Sequence, residues 1–280
     1  MTSKTGVSSE PDQSKQIQYG RMETVSSESK GHERVAVITG AGGGLGGSVA
    51  RLLADQGAYR LFLVDNRAEA LDEVVADVQA QGIDVVGLAV DLGVAADVES
   101  VIPQAISEFG RVDALVNSAA ILNRLEFHEI TTELFDKIFH INALAPLLLA
   151  RAAMADMATR GWGRIVNVTS TGVYEGGLTM TSAVYEASKG AVAVLTKMLA
   201  MHGIGNDILV NTVCPGGMRT KMLLEETDPE LLAKAERELI PMRRLADPAE
   251  VGQMVVWLIS DLNTYATGSE FDITGGIALH

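Results

Sequence analysis

Short apolar runs alternate along this chain with stretches that are apolar at helical spacing. The first run, at 34–39, lacks polar alternation, as expected for a strand that is buried on both faces. The stretch after it carries leucine and valine at helical spacing and ends near Gly57. The same pattern predicts further strands at 61–64, 85–90, 114–116, 164–168, 208–213 and 270–273. It predicts further helices at 68–81, 98–109, 132–158, 182–202 and 248–260.

This strict alternation of strands and helices predicts the fold class. It is typical of a parallel sheet with helices on both faces, and therefore of an α/β, doubly wound Rossmann fold. We expect one domain at 34–280, with ligands at the carboxyl ends of the strands. The long irregular segment at about 215–247 is expected to form a substrate lid.

The segment at 1–33 differs from the rest of the chain. It is rich in Ser, Lys, Glu and Gln and has almost no large apolar side chains. Such a segment cannot bury enough surface to offset its ordering entropy, so a disordered N-terminal tail is predicted. An arm that orders on a partner subunit is the less favoured interpretation.

Composition excludes several classes of function. The 280 residues include 36 acidic and 22 basic ones, a net charge of −14 that argues against nucleic acid or an anionic membrane as partner. No apolar run approaches the roughly 20 residues that span a bilayer, and the first thirty residues lack a signal-peptide core, so a cytoplasmic protein is expected. The five histidines lack metal-ligand spacing, which predicts no metal site. Cys214, the single cysteine, is interpreted as a buried small residue rather than a reactive thiol.

A glycine-rich segment, Thr39-Gly40-Ala41-Gly42-Gly43-Gly44-Leu45-Gly46, lies between the first predicted strand and the first predicted helix. Glycines at such a junction let the backbone approach a pyrophosphate and present the amides of a helix N-terminus to it. A tight turn without a ligand is the alternative. The position of the segment favours a dinucleotide site, and the predicted cofactor-binding residues are Gly40, Gly44, Leu45 and Gly46.

Asp65 ends the second predicted strand. A carboxylate at this place accepts hydrogen bonds from the adenosine ribose and repels a 2′-phosphate, so NAD is favoured over NADP. The neighbouring Arg67 leaves NADP open, and a helix N-cap ahead of Ala68 is the structural alternative.

Two further strand ends contribute candidate cofactor positions. Asp91 and Leu92 follow the third strand and are expected at the adenine pocket. Asn117 and Ala119 follow the fourth, where small residues leave room for ribose and nicotinamide. Taken alone, both stretches are typical of ordinary loops.

Tyr185 and Lys189 carry the predicted chemistry. They stand four residues apart on a predicted helix and therefore share one face. A phenol has a reference pKa of about 10, and a nearby cation lowers it, so the pair can exchange a proton with an alcohol or ketone oxygen. The spacing alone is a weak signal, but it occurs here beside a dinucleotide motif.

Two polar residues are candidates to assist. Ser170 ends the fifth strand, where its hydroxyl can hydrogen-bond the reacting oxygen; a strand-terminal cap is the alternative. Asn142 lies inside the long helix, four residues before Pro146, which lacks the N–H that its carbonyl needs. The freed carbonyl can bind a water that leads to Lys189, whereas a plain proline kink is the alternative.

With these motifs the chain resembles the short-chain dehydrogenase/reductase family, from about Val35 to the C-terminus. The glycine segment is similar to the family's cofactor motif, and Asn142, Ser170, Tyr185 and Lys189 are similar to its catalytic tetrad. Pro215, Gly216 and Thr220 resemble the turn that contacts the nicotinamide carboxamide. The resemblance implies that Tyr185 is the general acid/base, that Ser170 holds the substrate oxygen and that Lys189 binds the ribose. It also implies that Asn142 anchors a proton-relay water and that the protein is a homotetramer. One departure is Asn117-Ser118-Ala119-Ala120, where the family has Asn-Asn-Ala-Gly.

We therefore expect an NAD-dependent oxidoreductase that acts on a secondary alcohol or ketone as small-molecule partner. The alternatives are an NADP-dependent 3-oxoacyl thioester reductase and a dinucleotide-binding regulator without turnover. The predicted substrate pocket looks mostly apolar. It comprises Leu122, Asn123, Gly172, Val173, Tyr174, Gly217, Met218, Met222 and Leu223.

Overall fold

The computed structural model describes residues 34–122, 124–175 and 180–278. The predicted tail at 1–33 and Asn123 lie outside the described residues. The described residues form one compact unit.

Seven parallel strands form one sheet in the described part of the chain, in the order β3-β2-β1-β4-β5-β6-β7. Their bounds are β1 Val35–Thr39, β2 Arg60–Asp65, β3 Val85–Ala89, β4 Ala114–Asn117, β5 Gly163–Val168, β6 Ile208–Pro215 and β7 Glu270–Ile273. The order reverses between β1 and β4, and such a switch point opens a crevice at the carboxyl ends of the strands. The predicted doubly wound parallel sheet is confirmed.

Helices connect these strands. Their bounds are α1 Gly44–Gln56, α2 Ala68–Gln79, α3 Ala95–Phe109, α4 Thr132–Phe139, α5 Ala145–Ala158, α6 Gly172–Glu175, α7 Ala183–Gly203, α8 Lys221–Glu226, α9 Pro229–Glu238 and α10 Pro248–Ile259. Helix α3 begins earlier than its apolar pattern predicts, because its first turn is largely exposed and carries no apolar signal. Strand β6 continues to Pro215 because its last residues pair with β7.

Each face of the sheet carries its own hydrophobic core. On one face, Val49 and Leu53 of α1 pack with Val251 and Val255 of α10. On the other, Val98 and Ile102 of α3 pack with Leu149 and Met154 of α5. The central strands contribute to both cores, which explains why they are continuously apolar.

The long helix predicted at 132–158 is present as one helical span, but its hydrogen-bond pattern changes in the middle. Its parts α4 and α5 are joined by a π-helical turn, His140–Leu144, and Pro146 lies in the first turn of α5. Pro146 has no N–H to add to the helical ladder, and it follows directly on the π turn, where that ladder already changes. By length and composition this span passes for a membrane helix, but 56% of its most apolar window is buried inside the protein, as in the core helix of a folded domain.

Candidate active site

Two cavities meet at the carboxyl ends of the strands. The first, which we call the glycine cleft, has a volume of about 410 Å³. It is bordered by Asp65, Tyr185, Lys189 and the glycine-rich segment from Thr39 to Gly46, which we call the glycine loop. The second, which we call the apolar cavity, has a volume of about 530 Å³ and lies between Ser170, Tyr185 and helices α8 and α9. Tyr185 borders both cavities.

The glycine loop depends on the absence of side chains at two positions. Gly40 has a φ of +69°, and a Cβ there would lie 2.8 Å from the backbone nitrogen of Ala119. A Cβ on Gly46 would overlap the carbonyl oxygen of Gly40. The first turn of helix α1 therefore packs closely against the backbone at the end of β1, with its first amides at the cleft.

The carboxylate of Asp65 is buried and holds this loop in place. Its Oδ2 accepts a hydrogen bond of 2.9 Å from the Gly42 N–H. Its Oδ1 accepts from the backbone N–H of Arg67 at 3.0 Å and from the Arg67 Nε at 3.2 Å. The N-cap alternative for Asp65 is wrong, because Arg67 is the N-cap of α2 and makes no side-chain cap bond.

Most of the predicted cofactor residues border the glycine cleft. They are Gly40, Gly44, Leu45, Asp65, Asp91, Leu92, Ala119, Tyr185, Lys189 and Thr220. Four others do not. Gly46 packs against Gly40, and Asn117 is buried with its amide donating to Asn167 Oδ1 at 2.8 Å. Pro215 and Gly216 border the apolar cavity instead.

Helix α7 brings Tyr185 and Lys189 together. The buried Lys189 Nζ donates a 2.8 Å hydrogen bond to the carbonyl of Val168, at the end of β5. It lies 5.6 Å from the centre of the Tyr185 ring. The ammonium and the phenol thus face one cleft, as their spacing predicts.

Burial dominates the electrostatics of this pair. It raises the pKa of Tyr185 above the ordinary value, and the charges of Glu186 and Cys214 act in the same direction. It lowers the pKa of Lys189 to about 8, which Glu186 opposes. The expected lowering of the phenol pKa is therefore not found in the chain alone, because desolvation of the charged form dominates the shift.

Ser170 borders a cavity, whereas Asn142 is buried behind the site. Ser170 borders the apolar cavity beside Tyr185, and its Oγ accepts from the Gly172 N–H at 3.2 Å. Asn142 is buried in the π turn. Its side chain exchanges hydrogen bonds of 2.9 and 3.0 Å with the backbone of Ile121 and donates to Ser188 Oγ at 3.1 Å. Asn142 thus joins the loop after β4 to α7, one residue before Lys189.

The apolar cavity agrees with part of the predicted pocket. Six of the predicted residues border it, namely Leu122, Gly172, Gly217, Met218, Met222 and Leu223. Val173 and Tyr174 are not among its lining residues, and nearly half of the Tyr174 surface is exposed.

Sequence reasoning missed several polar lining residues, among them Arg124, Ser182 and Glu186. Glu186 left a signal, because it stands four residues after Ser182 and three before Lys189 on one helix. Arg124 has no such signal in the sequence, since a charged residue in a loop is common. Its Nη2 donates to Thr227 Oγ1 at 3.1 Å and so joins the loop after β4 to the end of α8.

Cys214 is fully buried, as predicted. Its thiol lies near the carboxylates of Glu270 and Asp272. Burial first, and then Asp272, raise the pKa of the thiol to about 12. A thiol held protonated in this way is a poor nucleophile and a poor metal ligand.

The chain matches known proteins over most of its length. A family model described as enoyl-(acyl carrier protein) reductase matches residues 40–278. The 2,5-dichloro-2,5-cyclohexadiene-1,4-diol dehydrogenase LinX of Sphingobium indicum is 33% identical over 244 residues, which cover 87% of this chain and 95% of that protein. The 2-(S)-hydroxypropyl-CoM dehydrogenase 3 of Xanthobacter autotrophicus is 32% identical over 248 residues, which cover 87% and 96%.

The fold matches solved structures as well. A variant of actinorhodin polyketide ketoreductase with NADPH superposes with a TM-score of 0.79 at 28% identity, covering 87% of this chain and 97% of that one. A short-chain type dehydrogenase/reductase from Mycobacterium marinum gives a TM-score of 0.82 at 28% identity, with 87% and 95% covered. The sheet, the glycine cleft and these matches agree: the chain belongs to the short-chain dehydrogenase/reductase family and is an NAD(P)-dependent oxidoreductase that acts on CH–OH groups.

Proposed function

We propose that this enzyme transfers a hydride between NAD and a secondary alcohol or its ketone, with Tyr185 as general acid and base. The position of Tyr185 carries the proposal, because this residue borders both the glycine cleft and the apolar cavity. A substrate oxygen at the phenol would lie where the two cavities meet. Hydride and proton can then leave the same carbinol in different directions.

Each polar residue of the site has a distinct role in this proposal. Ser170 holds the substrate oxygen from the side of the apolar cavity, and Tyr185 exchanges a proton with it. Lys189 supplies a positive charge that favours the phenolate. Bound in the glycine cleft, the oxidised nicotinamide supplies the hydride acceptor and a second positive charge. Asn142 joins Ile121 to Ser188, the residue before Lys189, and its backbone carbonyl would bind the water that leads to Lys189.

Asp65 supports NAD as the preferred cofactor. Its buried carboxylate lies at the end of β2, where it would accept from ribose hydroxyls and repel a 2′-phosphate. Arg67 lies close enough to bind a phosphate, and one related solved structure is of a polyketide ketoreductase with NADPH. Selectivity for NAD is therefore set by the balance between one carboxylate and one guanidinium.

The apolar cavity supports a neutral or lipophilic substrate. Leu223, Leu231, Leu239 and Ile240 border it, and α8 and α9 lie within the segment predicted as a lid. Two relatives are named for a cyclic diol and a hydroxypropyl group, both of which are alcohols. A small cyclic or aliphatic secondary alcohol fits these observations.

We further propose that the enzyme acts in the cytoplasm as a homotetramer. Val194, Met198 and Met201 of α7 are each more than 60% exposed, and Phe135 of α4 is 42% exposed. An exposed apolar face of this kind is typical of a subunit interface.

Two other functions remain as alternatives. The family model is described as enoyl-(acyl carrier protein) reductase, an activity on an acyl thioester, and this favours keeping the NADP-dependent 3-oxoacyl thioester reductase as an alternative. A regulator without turnover is less favoured, because such a protein need not keep Asn142, Ser170, Tyr185 and Lys189.

The deciding assay uses the full-length chain. Binding of NADH and NADPH is measured first, and turnover is then measured on secondary alcohols, ketones, 3-oxoacyl thioesters and 2-enoyl thioesters. We expect tighter binding of NADH and turnover of alcohols and ketones. Binding without turnover would favour the regulator, and thioester turnover with NADPH would favour the reductase.

A further inference from the structure

Lys221 is a cation in the wall of the glycine cleft that has no role in the proposed function. It is the first residue of α8 and follows Thr220, the N-cap of that helix. Thr220 lies beside the first residue of α1, because a Cβ added to Gly44 would come within 3.5 Å of the Thr220 Cγ2. Lys221 is therefore placed at the part of the cleft where the first amides of α1 would bind the cofactor diphosphate.

The backbone that leads into α8 is tied to the segment before α10. The Arg219 N–H donates a 2.9 Å hydrogen bond to the carbonyl of Ala246, and the Ala246 N–H donates a 2.9 Å hydrogen bond to the carbonyl of Gly217. The start of α8 is thus fixed beside the cleft. The Lys221 side chain is exposed, and its flexible stem lets the ammonium turn toward a ligand.

Three cations border the glycine cleft in the described part of the chain, namely Arg67, Lys189 and Lys221. Arg67 already donates to the Asp65 carboxylate at 3.2 Å, and Lys189 donates to the Val168 carbonyl at 2.8 Å. Lys221 takes part in none of the ion pairs among the described residues. Its charge is therefore the one of the three that a ligand can use without displacing a partner.

The cofactor diphosphate is a dianion, and it must enter a protein of net charge −14. Carboxylates also border the cleft, among them Asp65, Asp91 and Glu225. The glycine loop offers the diphosphate backbone amides, which carry only partial charges. A full positive charge beside the first turn of α1 would offset this repulsion at short range.

We propose that Lys221 is a further cofactor-binding residue, whose ammonium donates a hydrogen bond to the diphosphate of the dinucleotide. The proposal rests on the dinucleotide binding in the proposed function, and it applies to NAD and NADP alike because both carry this diphosphate. The glycine loop and α8 then share one group of the cofactor. The loop supplies amides, and the segment predicted as a lid supplies the cation.

Lys221→Gln tests the proposal, because the amide removes the charge and keeps most of the length of the side chain. The probes are ADP-ribose, which has the diphosphate, and adenosine, which lacks it, each titrated against the full-length protein by calorimetry at low salt. We expect the dissociation constant of ADP-ribose to rise about threefold to tenfold, and that of adenosine to change less than about twofold. Lys221→Arg keeps the charge and should stay within about twofold of the wild type.

Two controls separate a direct contact from the general charge of the protein. Lys234→Gln makes the same charge change on α9, where the lysine borders the apolar cavity and is not among the residues that border the glycine cleft, so it should change neither dissociation constant. Stopped-flow kinetics with NADH give the second control. A direct contact slows dissociation, so Lys221→Gln should raise koff about threefold or more, whereas long-range steering acts on kon alone.

The outcomes distinguish this inference from the function on which it rests. If the wild type binds ADP-ribose but turns over no alcohol or ketone, the assigned chemistry fails and the role of Lys221 is still decided by the binding data. If the wild type binds neither ADP-ribose nor NADH, both proposals fail. If Lys221→Gln binds ADP-ribose as tightly as the wild type, weakens adenosine equally or changes kon alone, the role of Lys221 is contradicted.

Discussion

The glycine cleft and the apolar cavity meet at Tyr185, but different parts of the chain build them. The cleft is shaped by backbone, where the glycine loop ends β1 and opens α1. The apolar cavity is shaped by side chains from the loop after β4, from α7 and from the segment that holds α8 and α9. A surface made of backbone depends on a few small residues in one place, whereas a surface made of side chains depends on many exchangeable ones. Changes in the cleft should therefore act on every substrate, and changes in the cavity on some.

The largest effect should come from Tyr185, the proposed general acid and base, which borders both cavities. Tyr185→Phe removes the proton donor and leaves the ring in place, so turnover should fall by at least about a thousandfold. NADH affinity should change less than about twofold, because the glycine loop is untouched. Steady-state kinetics and fluorescence titration measure the two quantities. A phenylalanine variant that keeps most of its rate contradicts the assigned mechanism.

A side chain in the glycine loop should act next most strongly. Gly46→Val would force α1 away from the Gly40 carbonyl, so NADH affinity should fall at least about tenfold, and overpacking should lower the free energy of unfolding by about 1–3 kcal/mol. Gly57→Ala is the matched control. Its site has open space and a φ of +63°, so the variant should cost about 1–2 kcal/mol of stability and leave NADH affinity unchanged. Equal loss of NADH affinity in both variants would refute the close-approach argument.

The same contrast explains what the sequence could reveal. Buried strands need continuous apolar runs and the glycine loop needs contiguous glycines, so the fold and the cleft left local signals. Glu186 and Arg124 both border the apolar cavity from positions 62 residues apart (186 − 124), and neither residue type is unusual where it stands. The π turn before Pro146 was also missed, because one extra residue per turn barely changes a helical pattern.

Asp65→Ala should shift cofactor preference toward NADPH by roughly tenfold, because the carboxylate that repels a 2′-phosphate is lost and Arg67 is released. Binding constants for both cofactors measure the shift. Asp72→Ala, an exposed change on α2, should leave the preference as it is. If Asp65→Ala also leaves it unchanged, other residues set the selectivity.

The smallest effect should come from the cavity wall. Leu223→Ala removes apolar surface beside the substrate, so the KM of a bulky alcohol should rise about fivefold, with little change for the smallest alcohols. NADH affinity should stay constant, because Leu223 is not among the residues that border the glycine cleft. A parallel loss of NADH affinity would show that the two cavities are not separable.

The central claim is that one phenol serves both cavities, and a crystal structure with NAD and an alcohol bound tests it most directly. We predict the alcohol oxygen within about 3 Å of both Tyr185 Oη and Ser170 Oγ. Its carbinol carbon should lie roughly 3.5 Å from the nicotinamide ring. A nicotinamide outside the glycine cleft, or an alcohol oxygen that Tyr185 does not reach, would contradict the account.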